Sequence, residues 1–269
     1  MPAVNSEIIQ KQTAATTHHG QTYLLRHHAG GIGSRFWPKS RQSKPKQFLD
    51  ILGTGKSFIR MTYERFEKLA PAENFLVVTN ARYKDLVLEQ IPELGPEQVL
   101  CEPVGRNTAP CICYAAYGLQ KRDPGAKMIV TPADHLILNE EDFRAIIGEC
   151  LDFIDDRAAL MTVGIKPTRP ETGYGYIQVS DDRTISKVKC FTEKPNLELA
   201  QTFLQCGEFL WNSGIFVWKV GDIIEAVRTY LPSTTPSSRT SSRYWALQKK
   251  RKPSPEYSPN AAPSRSTTA

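Results

Sequence analysis

A glycine turn followed by a basic loop occupies residues 29–50, AGGIGSRFWPKSRQSKPKQFLD, and limits the folds open to this chain. Glycine lacks a Cβ, so its backbone can take positive φ and its N–H groups can approach a ligand closely. The turn glycines are Gly30, Gly31 and Gly33, and the cations that follow are Arg35, Lys39, Arg41, Lys44 and Lys46. This arrangement predicts a nucleoside triphosphate site. An ordinary surface turn is the alternative, because the spacing matches neither GxGxxG nor GxxxxGK[ST].

Apolar runs and helical patterns alternate between residues 23 and 165. Strands are predicted at 23–28, 75–79, 99–101, 128–131 and 160–165, and helices at 57–70, 82–90, 108–121 and 142–153. The alternation predicts an α/β fold with a mostly parallel sheet that helices cover on both faces. Ligands bind such sheets at the carboxyl ends of the strands, where the glycine turn and the segments GRNTAP and PADH lie.

The pattern changes after residue 173 to Gly/Tyr-rich turns and short strands, predicted at 175–179, 185–192 and 215–218, with helices at 196–206 and 220–230. We interpret this region as a second, sugar-binding half on the same sheet. The resulting domain spans residues 22–231 and follows a polar segment, 1–21, that we expect to be disordered.

A third segment, residues 232–269, is rich in Ser, Thr and Pro, which make up 20 of its 38 residues. Such a composition buries too little apolar surface to form a core, so we expect a disordered tail. The tail is interpreted as a targeting or anion-binding segment, or as a shifted reading frame that replaces the native C-terminus.

The net positive charge of the chain comes entirely from this tail. The whole chain has a net charge of +6, and residues 232–269 supply all of it with seven Lys/Arg and Glu256. The remaining residues carry 27 basic and 27 acidic side chains, which argues against a nucleic-acid surface. No apolar run is long enough to span a bilayer. Six cysteines without CxxC spacing predict reduced thiols in a cytoplasmic protein.

Five ordered motifs carry a family resemblance. Residues 29–50 resemble the signature of the sugar-1-phosphate nucleotidyltransferases, and of mannose-1-phosphate guanylyltransferases in particular. The later motifs are GRNTAP at 105–110, PADH at 132–135, PTRPETGYGYI at 167–177, and FTEKP with WNSGIF at 191–195 and 211–216. The resemblance covers about residues 22–231. It implies a Rossmann-like three-layer α/β/α sandwich that transfers GMP from GTP to mannose 1-phosphate with Mg²⁺, and it leaves a homo-oligomer open.

Three residues are the predicted catalytic group. Arg35 and Lys46 match the family's cations for the leaving pyrophosphate, because Arg grips phosphate oxygens bidentately and Lys supplies a point charge. Asp134 matches the metal ligand, since Mg²⁺ takes few protein carboxylates beside bound phosphates. Surface cations and a helix N-cap are the structural alternatives. The family's second metal-binding aspartate, nearer the C-terminus, has no counterpart in this sequence.

The remaining predicted residues bind substrates. The three turn glycines, Asn107 and Thr108 are assigned to the nucleotide, although Asn and Thr also cap helices well. The sugar phosphate is assigned to Gly173, Tyr174, Gly175, Glu193, Lys194 and Asn212. The alternatives are a surface ion pair for Glu193 and Lys194 and a tight turn anchored by Trp211.

Two further whole-chain hypotheses stay open beside the guanylyltransferase. One is a related enzyme that uses another nucleotide or hexose, since the motifs are shared across the family. The other is a catalytically impaired nucleotide- or sugar-binding remnant, suggested by the polar first strand and the divergent C-terminus.

Overall fold

The computed structural model describes residues 21–26, 36–102 and 108–231, with the backbone alone at 21–26, 102, 108–111 and 114. Residues 1–20, 27–35 and 103–107 and the whole predicted tail, 232–269, lie outside the described part. All described residues belong to one unit, 1–235. Within that part, every helix is too short or too polar to cross a lipid bilayer.

Eight strands and six α-helices form the described part of the chain. The strands are β1 Gln21–Arg26, β2 Phe75–Asn80, β3 Val99–Glu102, β4 Lys127–Pro132, β5 Leu160–Ile165, β6 Gly175–Val179, β7 Val188–Glu193 and β8 Phe209–Lys219. The helices are α1 Phe58–Glu67, α2 Lys84–Gln90, α3 Thr108–Arg122, α4 Glu140–Phe153, α5 Leu197–Cys206 and α6 Val220–Tyr230. Short 3-10 helices occupy Lys46–Phe48, Ala72–Asn74, Ala81–Tyr83 and Pro96–Gln98.

Local sequence signals explain where the helices begin and end. The Ser57 hydroxyl accepts the Arg60 N–H at the start of α1, and Asn196 Oδ1 accepts the Leu199 N–H at the start of α5. The left-handed backbone of Gly207, with φ of +73°, ends α5. These residues are favoured N-caps and C-caps, so the predicted helix boundaries are confirmed to within a few residues.

One mixed sheet contains all eight strands. The order β3–β2–β1–β4 is parallel and continues through antiparallel pairs into β8, β6 and β7, while β5 pairs with β8. Since only β7 and β8 run against the others, six of the eight described strands share one direction. The predicted mixed, mostly parallel sheet is confirmed. The first strand, despite its polar end, pairs with β2 and β4 in the interior of the sheet.

Both faces of the sheet are buried. On one face, Phe75 and Val77 of β2 pack in a core cluster with side chains of α1, α2 and α4. Leu76 and Val78 alternate to the other face and are buried as well. Helices α3 and α6 pack against each other outside the first cluster and cover this second face. The result is the expected three-layer sandwich.

The structure corrects the prediction for residues 209–219. The sequence pattern placed a strand only at 215–218 and offered a tight turn at Trp211, but β8 runs through the whole segment. Its register against β5 shifts between the pairs Thr162–Phe216 and Gly164–Asn212, so β8 contains extra residues at 213–215. We call residues 212–215 the β8 bulge. Asn and Gly favour left-handed backbone in turns and in bulges alike, and the sequence pattern does not separate the two.

Candidate active site

Two predicted catalytic residues, Lys46 and Asp134, form an ion pair. Lys46 Nζ lies 2.5 Å from Asp134 Oδ2, and both side chains are partly exposed. Lys46 opens the short helix after the basic loop, and Asp134 follows the carboxyl end of β4 by two residues. Residues 88 positions apart in the sequence therefore meet at the sheet edge where ligands bind in open α/β sheets.

The basic loop is fastened to the protein at several points. The Phe48 side chain is buried in the core cluster beside α1. Its carbonyl accepts Gln90 Nε2 at 3.1 Å, and the Tyr83 hydroxyl donates to the Gln42 carbonyl at 2.8 Å. These contacts hold the backbone next to Lys46, so the lysine side chain projects from a fixed base.

The segment after Asp134 is electrostatically unusual. Burial lowers the pKa of His135, the Asp134 carboxylate opposes this change, and the charges of Lys46 and Arg65 reinforce it. The imidazole is therefore biased toward its neutral form beside the ion pair. His135 was not among the predicted site residues.

Asp134 can serve as a ligand for a divalent cation that phosphate oxygens also hold. Among the described residues, no three His, Cys, Asp or Glu side chains are grouped closely enough to form a metal site by themselves. A single carboxylate beside phosphates suits Mg²⁺, which takes one or two protein carboxylates and completes its coordination with water and substrate. The donor at residue 134 fits such a shared ion.

A second group of predicted residues forms a row across three strands. Gly175 of β6 pairs with Glu193 of β7, and the pairing of Tyr176 with Trp211 puts Asn212 of β8 on the other side of Gly175. A Cβ at Gly175 would lie 2.8 Å from Glu193 Oε2 and 3.6 Å from the Asn212 Cβ. The absence of a side chain at Gly175 therefore lets the Glu193 carboxylate and the Asn212 amide approach the same stretch of backbone, and we call these three residues the Gly175 row.

The β8 bulge fixes the orientation of the Asn212 amide. Its Oδ1 accepts the Gly214 N–H at 3.0 Å and the Thr162 hydroxyl at 3.3 Å. Ser213 stabilises the same bulge, because its hydroxyl donates to the Val163 carbonyl and accepts the Ile215 N–H. With its oxygen occupied by these donors, Asn212 presents Nδ2 as the group available to a ligand.

The bulge also joins the two predicted halves of the site. Gly214 has φ of +72°, and a Cβ at this position would contact Pro132 Cγ at 3.5 Å. Pro132 is the last residue of β4, two positions before Asp134. Gly214 of the β8 bulge therefore lies next to Pro132 of β4, and these neighbouring residues connect the Gly175 row with the Lys46–Asp134 pair.

Lys194 has a constrained backbone beside this row. Its φ is +46°, and its N–H donates to the Tyr174 carbonyl at 3.2 Å. Its Nζ pairs with Glu193 Oε1 at 3.1 Å, and both side chains are largely exposed. Left-handed backbone is unfavourable for lysine, so the surrounding structure holds the residue in place.

Tyr174 and Gly173 belong to the loop before β6. The Tyr174 ring packs edge-on against Trp211 at 5.4 Å, and the Gly173 N–H donates to Glu171 Oε1 at 3.0 Å. Because Trp211 and Asn212 are consecutive residues of a strand, they point to opposite faces. The Tyr174 ring is thus directed away from the Gly175 row.

Three side chains near the site were missed by the sequence analysis. Arg169 stacks over Trp211 at 5.4 Å and pairs with Glu171, within a motif that the analysis quoted without singling it out. Thr162 had no distinguishing signal, since its role depends on the pairing of β5 with β8. Arg65 could have been noticed as a charge at the i+7 position of an otherwise uncharged face that includes Phe58 and Thr62.

Five predicted site residues lie outside the described residues, namely the catalytic candidate Arg35 and the nucleotide candidates Gly30, Gly31, Gly33 and Asn107. Thr108 begins α3 by its backbone, which agrees with its expected position at a helix N-terminus. Their roles stay predictions.

The fold and the two adjoining groups of polar residues define an α/β protein with a candidate ligand site along one sheet edge. The chain belongs to the nucleotidyl transferase family, whose pattern matches residues 28–235.

Curated relatives share this segment. The xanthan biosynthesis protein XanB of Xanthomonas campestris pv. campestris is 40% identical over 207 residues, 76% of this chain and 44% of that protein. The mannose-1-phosphate guanylyltransferase of Escherichia coli K12 is 39% identical over 214 residues, with the same coverages. This chain therefore spans less than half the length of these relatives.

Solved structures agree on the fold. A Thermus thermophilus structure described as mannose-1-phosphate geranyltransferase has a TM-score of 0.72 and 28% identity, over 87% of this chain and 65% of that one. A Helicobacter pylori structure described as mannose-6-phosphate isomerase has a TM-score of 0.63 and 30% identity, over 79% and 76%.

Proposed function

We propose that this chain transfers GMP from GTP to mannose 1-phosphate and releases GDP-mannose and pyrophosphate. The observation that carries the proposal is the Lys46–Asp134 pair, which adjoins the β8 bulge and the Gly175 row at one sheet edge. A nucleotidyl transfer needs two anionic substrates held side by side, and this edge offers two adjacent sets of polar groups. The guanylyltransferase names of relatives near 40% identity support the choice of base and sugar.

The chemistry requires little covalent participation by the protein. An oxygen of the sugar phosphate attacks the α-phosphorus of GTP, and the bond from that phosphorus to the bridging oxygen of pyrophosphate breaks. Catalysis comes from positioning both anions and from stabilising charge on the leaving group. Lys46 and Arg35 are assigned to that charge. The backbone of Gly30, Gly31 and Gly33 is assigned to the nucleotide, with Asn107 and Thr108.

Asp134 would hold Mg²⁺ against the phosphates. When bound, the cation neutralises phosphate charge and orients the reacting groups. The Lys46 ammonium balances the Asp134 carboxylate across the 2.5 Å contact. With the Asp134 carboxylate holding the cation, the Lys46 ammonium would be free to turn toward the substrate phosphates.

The Gly175 row is assigned to the sugar. Glu193 accepts hydrogen bonds from hydroxyl groups, and Asn212 Nδ2 donates one, because its oxygen is already engaged. Lys194 meets the phosphate of the sugar phosphate. Gly175 and Gly173 allow the backbone to approach the hexose, while Tyr174 supports the row from the other face through Trp211.

The first experiment measures pyrophosphate release from GTP, mannose 1-phosphate and Mg²⁺. Competition by dTTP, UTP and ATP tests the base, and equal use of all four nucleotides would overturn the guanine assignment. The same preparation is assayed for isomerisation of mannose 6-phosphate, the reaction named for the Helicobacter pylori relative. Binding of GTP or GDP-mannose by thermal shift without turnover would favour the binding-remnant hypothesis.

Two variants test the ion pair directly. Asp134→Asn and Lys46→Gln are each expected to lower turnover by a factor of about 10² to 10³, the range for loss of one charge-stabilising group. Lys68→Gln is the matched control, because Lys68 is an exposed lysine after α1. Turnover in either site variant equal to the control would contradict the assignment.

We further propose that the domain ends near residue 231, that the protein has no nucleic-acid or membrane partner, and that the reaction takes place in the cytoplasm. Four described cysteines support a reducing environment, because Cys113, Cys150, Cys190 and Cys206 are all free thiols.

A further inference from the structure

Arg65 of α1 is a fully buried cation, and neighbouring groups compensate little of its positive charge. Its Nε lies 3.3 Å from Glu140 Oε1, an ion-pair contact without hydrogen-bond geometry. None of its three side-chain nitrogens has a hydrogen-bond partner in the described part of the protein. Glu140 also pairs with Arg144, so its charge is shared between two cations.

A buried guanidinium of this kind does not stabilise a core efficiently. Arginine stays charged, and removing that charge from water costs more than one long ion pair returns. An apolar residue of similar length would fill the same position of α1 without that cost. The charge at residue 65 therefore requires an explanation other than packing.

The position of α1 supplies that explanation. Near its N-terminus, Ser57 donates to Gln90, which in turn donates to the Phe48 carbonyl in the short helix opened by Lys46. Near its C-terminus, Arg65 contacts Glu140, the first residue of α4. Helix α1 therefore supports both segments that form the Lys46–Asp134 pair.

The contact between Arg65 and α4 is reinforced by aromatic packing. Phe66 meets Phe143 edge-on at 5.5 Å, and the Arg65 guanidinium lies over the same ring at 5.8 Å. The Arg65 side chain therefore contacts two residues in the first turn of α4, Glu140 and Phe143, at the C-terminal end of segment 134–140.

We propose that Arg65 is a positioning residue that holds segment 134–140 between α1 and α4, so that the Asp134 carboxylate stays beside Lys46 and receives the metal. The proposal rests on the proposed function for its metal, and on the contacts of Arg65 for the positioning itself. Arg65 touches no substrate, because its side chain is fully buried.

The test compares Arg65→Met with Arg60→Met in the full chain. Arg60 is a second arginine of α1, paired with Glu64 and Glu93 at the protein surface. In Arg65→Met we expect amide exchange in 134–140 to rise about tenfold and the Mg²⁺ concentration for half-maximal activity to rise about tenfold, as for other residues that support a metal ligand. The KM for mannose 1-phosphate stays within about twofold of the wild type. Arg60→Met changes none of these.

Two further variants test the proposal in case Arg65→Met does not fold. Glu140→Gln removes the partner charge and is expected to raise exchange in the same segment, while Arg65→Lys restores part of the effect because it keeps the charge. If Arg65→Met does not fold, these two variants decide the question. Wild-type exchange in 134–140 for all foldable variants, or increased exchange that extends equally to α5, would overturn the proposal.

Failure of the proposed function gives a different result. Exchange is measured without substrate, and Mn²⁺ binding in the presence of GTP is measured by electron paramagnetic resonance without turnover. A wild-type protein that releases no pyrophosphate would reject the proposed reaction, while a local change in exchange would still support the positioning by Arg65.

Discussion

Gly175 shows how one missing side chain shapes a site. Three strands bring Glu193 and Asn212 to either side of it, and the Glu193 carboxylate can come this close because Gly175 has no Cβ. The carboxylate accepts and the amide donates, so the row is matched to a molecule with several hydroxyl groups.

Gly175→Ala is expected to weaken sugar binding without unfolding the protein. The new Cβ would lie 2.8 Å from Glu193 Oε2, and this exposed side chain can rotate away. We expect the KM for mannose 1-phosphate to rise about tenfold and the free energy of unfolding to change by less than about 1 kcal/mol. Steady-state kinetics and urea unfolding measure both quantities.

The matched control is Gly221→Ala in α6, where a Cβ would meet nothing within 4 Å. Alanine is the better helix former, so this variant is expected to be slightly more stable and fully active. An unchanged KM in Gly175→Ala would remove the row from the sugar site.

At the level of elements, the β8 bulge is the feature that the site depends on most. It orients Asn212, and it places Gly214 against Pro132 at the end of β4. Asn212 and Ser213 satisfy the backbone groups that the bulge frees from the ladder, so the irregularity is stabilised locally.

A comparison of Gly214→Ala with Gly207→Ala distinguishes the effect of backbone strain on stability from an effect on activity. The two glycines have φ of +72° and +73°, so each substitution is expected to lower the free energy of unfolding by about 1–2 kcal/mol. Only Gly214→Ala should also reduce kcat/KM for the sugar phosphate, because its N–H holds the Asn212 amide. Equal activity in the two variants would mean that the bulge does not orient Asn212. Chemical unfolding and kinetics provide the comparison.

Cys150 of helix α4 is a buried thiol. Because of it, the free energy of unfolding should depend on pH in the alkaline range. Burial raises the pKa of Cys150 from 9.0 to about 11, and the charge of Glu149 adds to this change. The unfolded chain therefore releases the proton at a lower pH than the folded protein does. The free energy of unfolding should fall between pH 9 and pH 11, and less steeply in Cys150→Ala.

Thiol labelling checks the same prediction. At about pH 8, iodoacetamide should modify exposed Cys190 and Cys206 before buried Cys113 and Cys150. Equally fast labelling of Cys150 would contradict its buried, protonated state.

At the scale of the molecule, residues 1–231 carry no net charge and residues 232–269 carry a net charge of +6, and the chain covers 44% of the length of its XanB relative. Deleting 232–269 removes seven Lys/Arg and Glu256 and brings the formal charge from +6 to zero. We expect the truncated chain to keep its unfolding midpoint within about 2–4 °C and to lose salt-sensitive retention on an anionic resin. Loss of cooperative unfolding would contradict the proposed boundary at 231.

Local sequence determined much of this protein. The alternation of strands and helices, the caps at Ser57 and Asn196, and the glycine that ends α5 follow from periodicity and side-chain chemistry within a few residues. The order of the motifs also predicted a set of site residues. Five of them, Lys46, Asp134, Gly175, Glu193 and Asn212, lie in two adjoining groups, and their roles stay predictions.

The contacts within those groups were decided by tertiary structure alone. The pairing of Lys46 with Asp134, the register that aligns Gly175 with Glu193, and the shift that turns a predicted turn into a bulge all depend on which strands become neighbours. Arg65 is the clearest example. The sequence of α1 does not explain a charge on its buried face, and the partner of that charge, Glu140, is known only once α4 packs beside α1. Strand order and register are set by the cooperative packing of distant segments, and no short stretch of sequence contains that information.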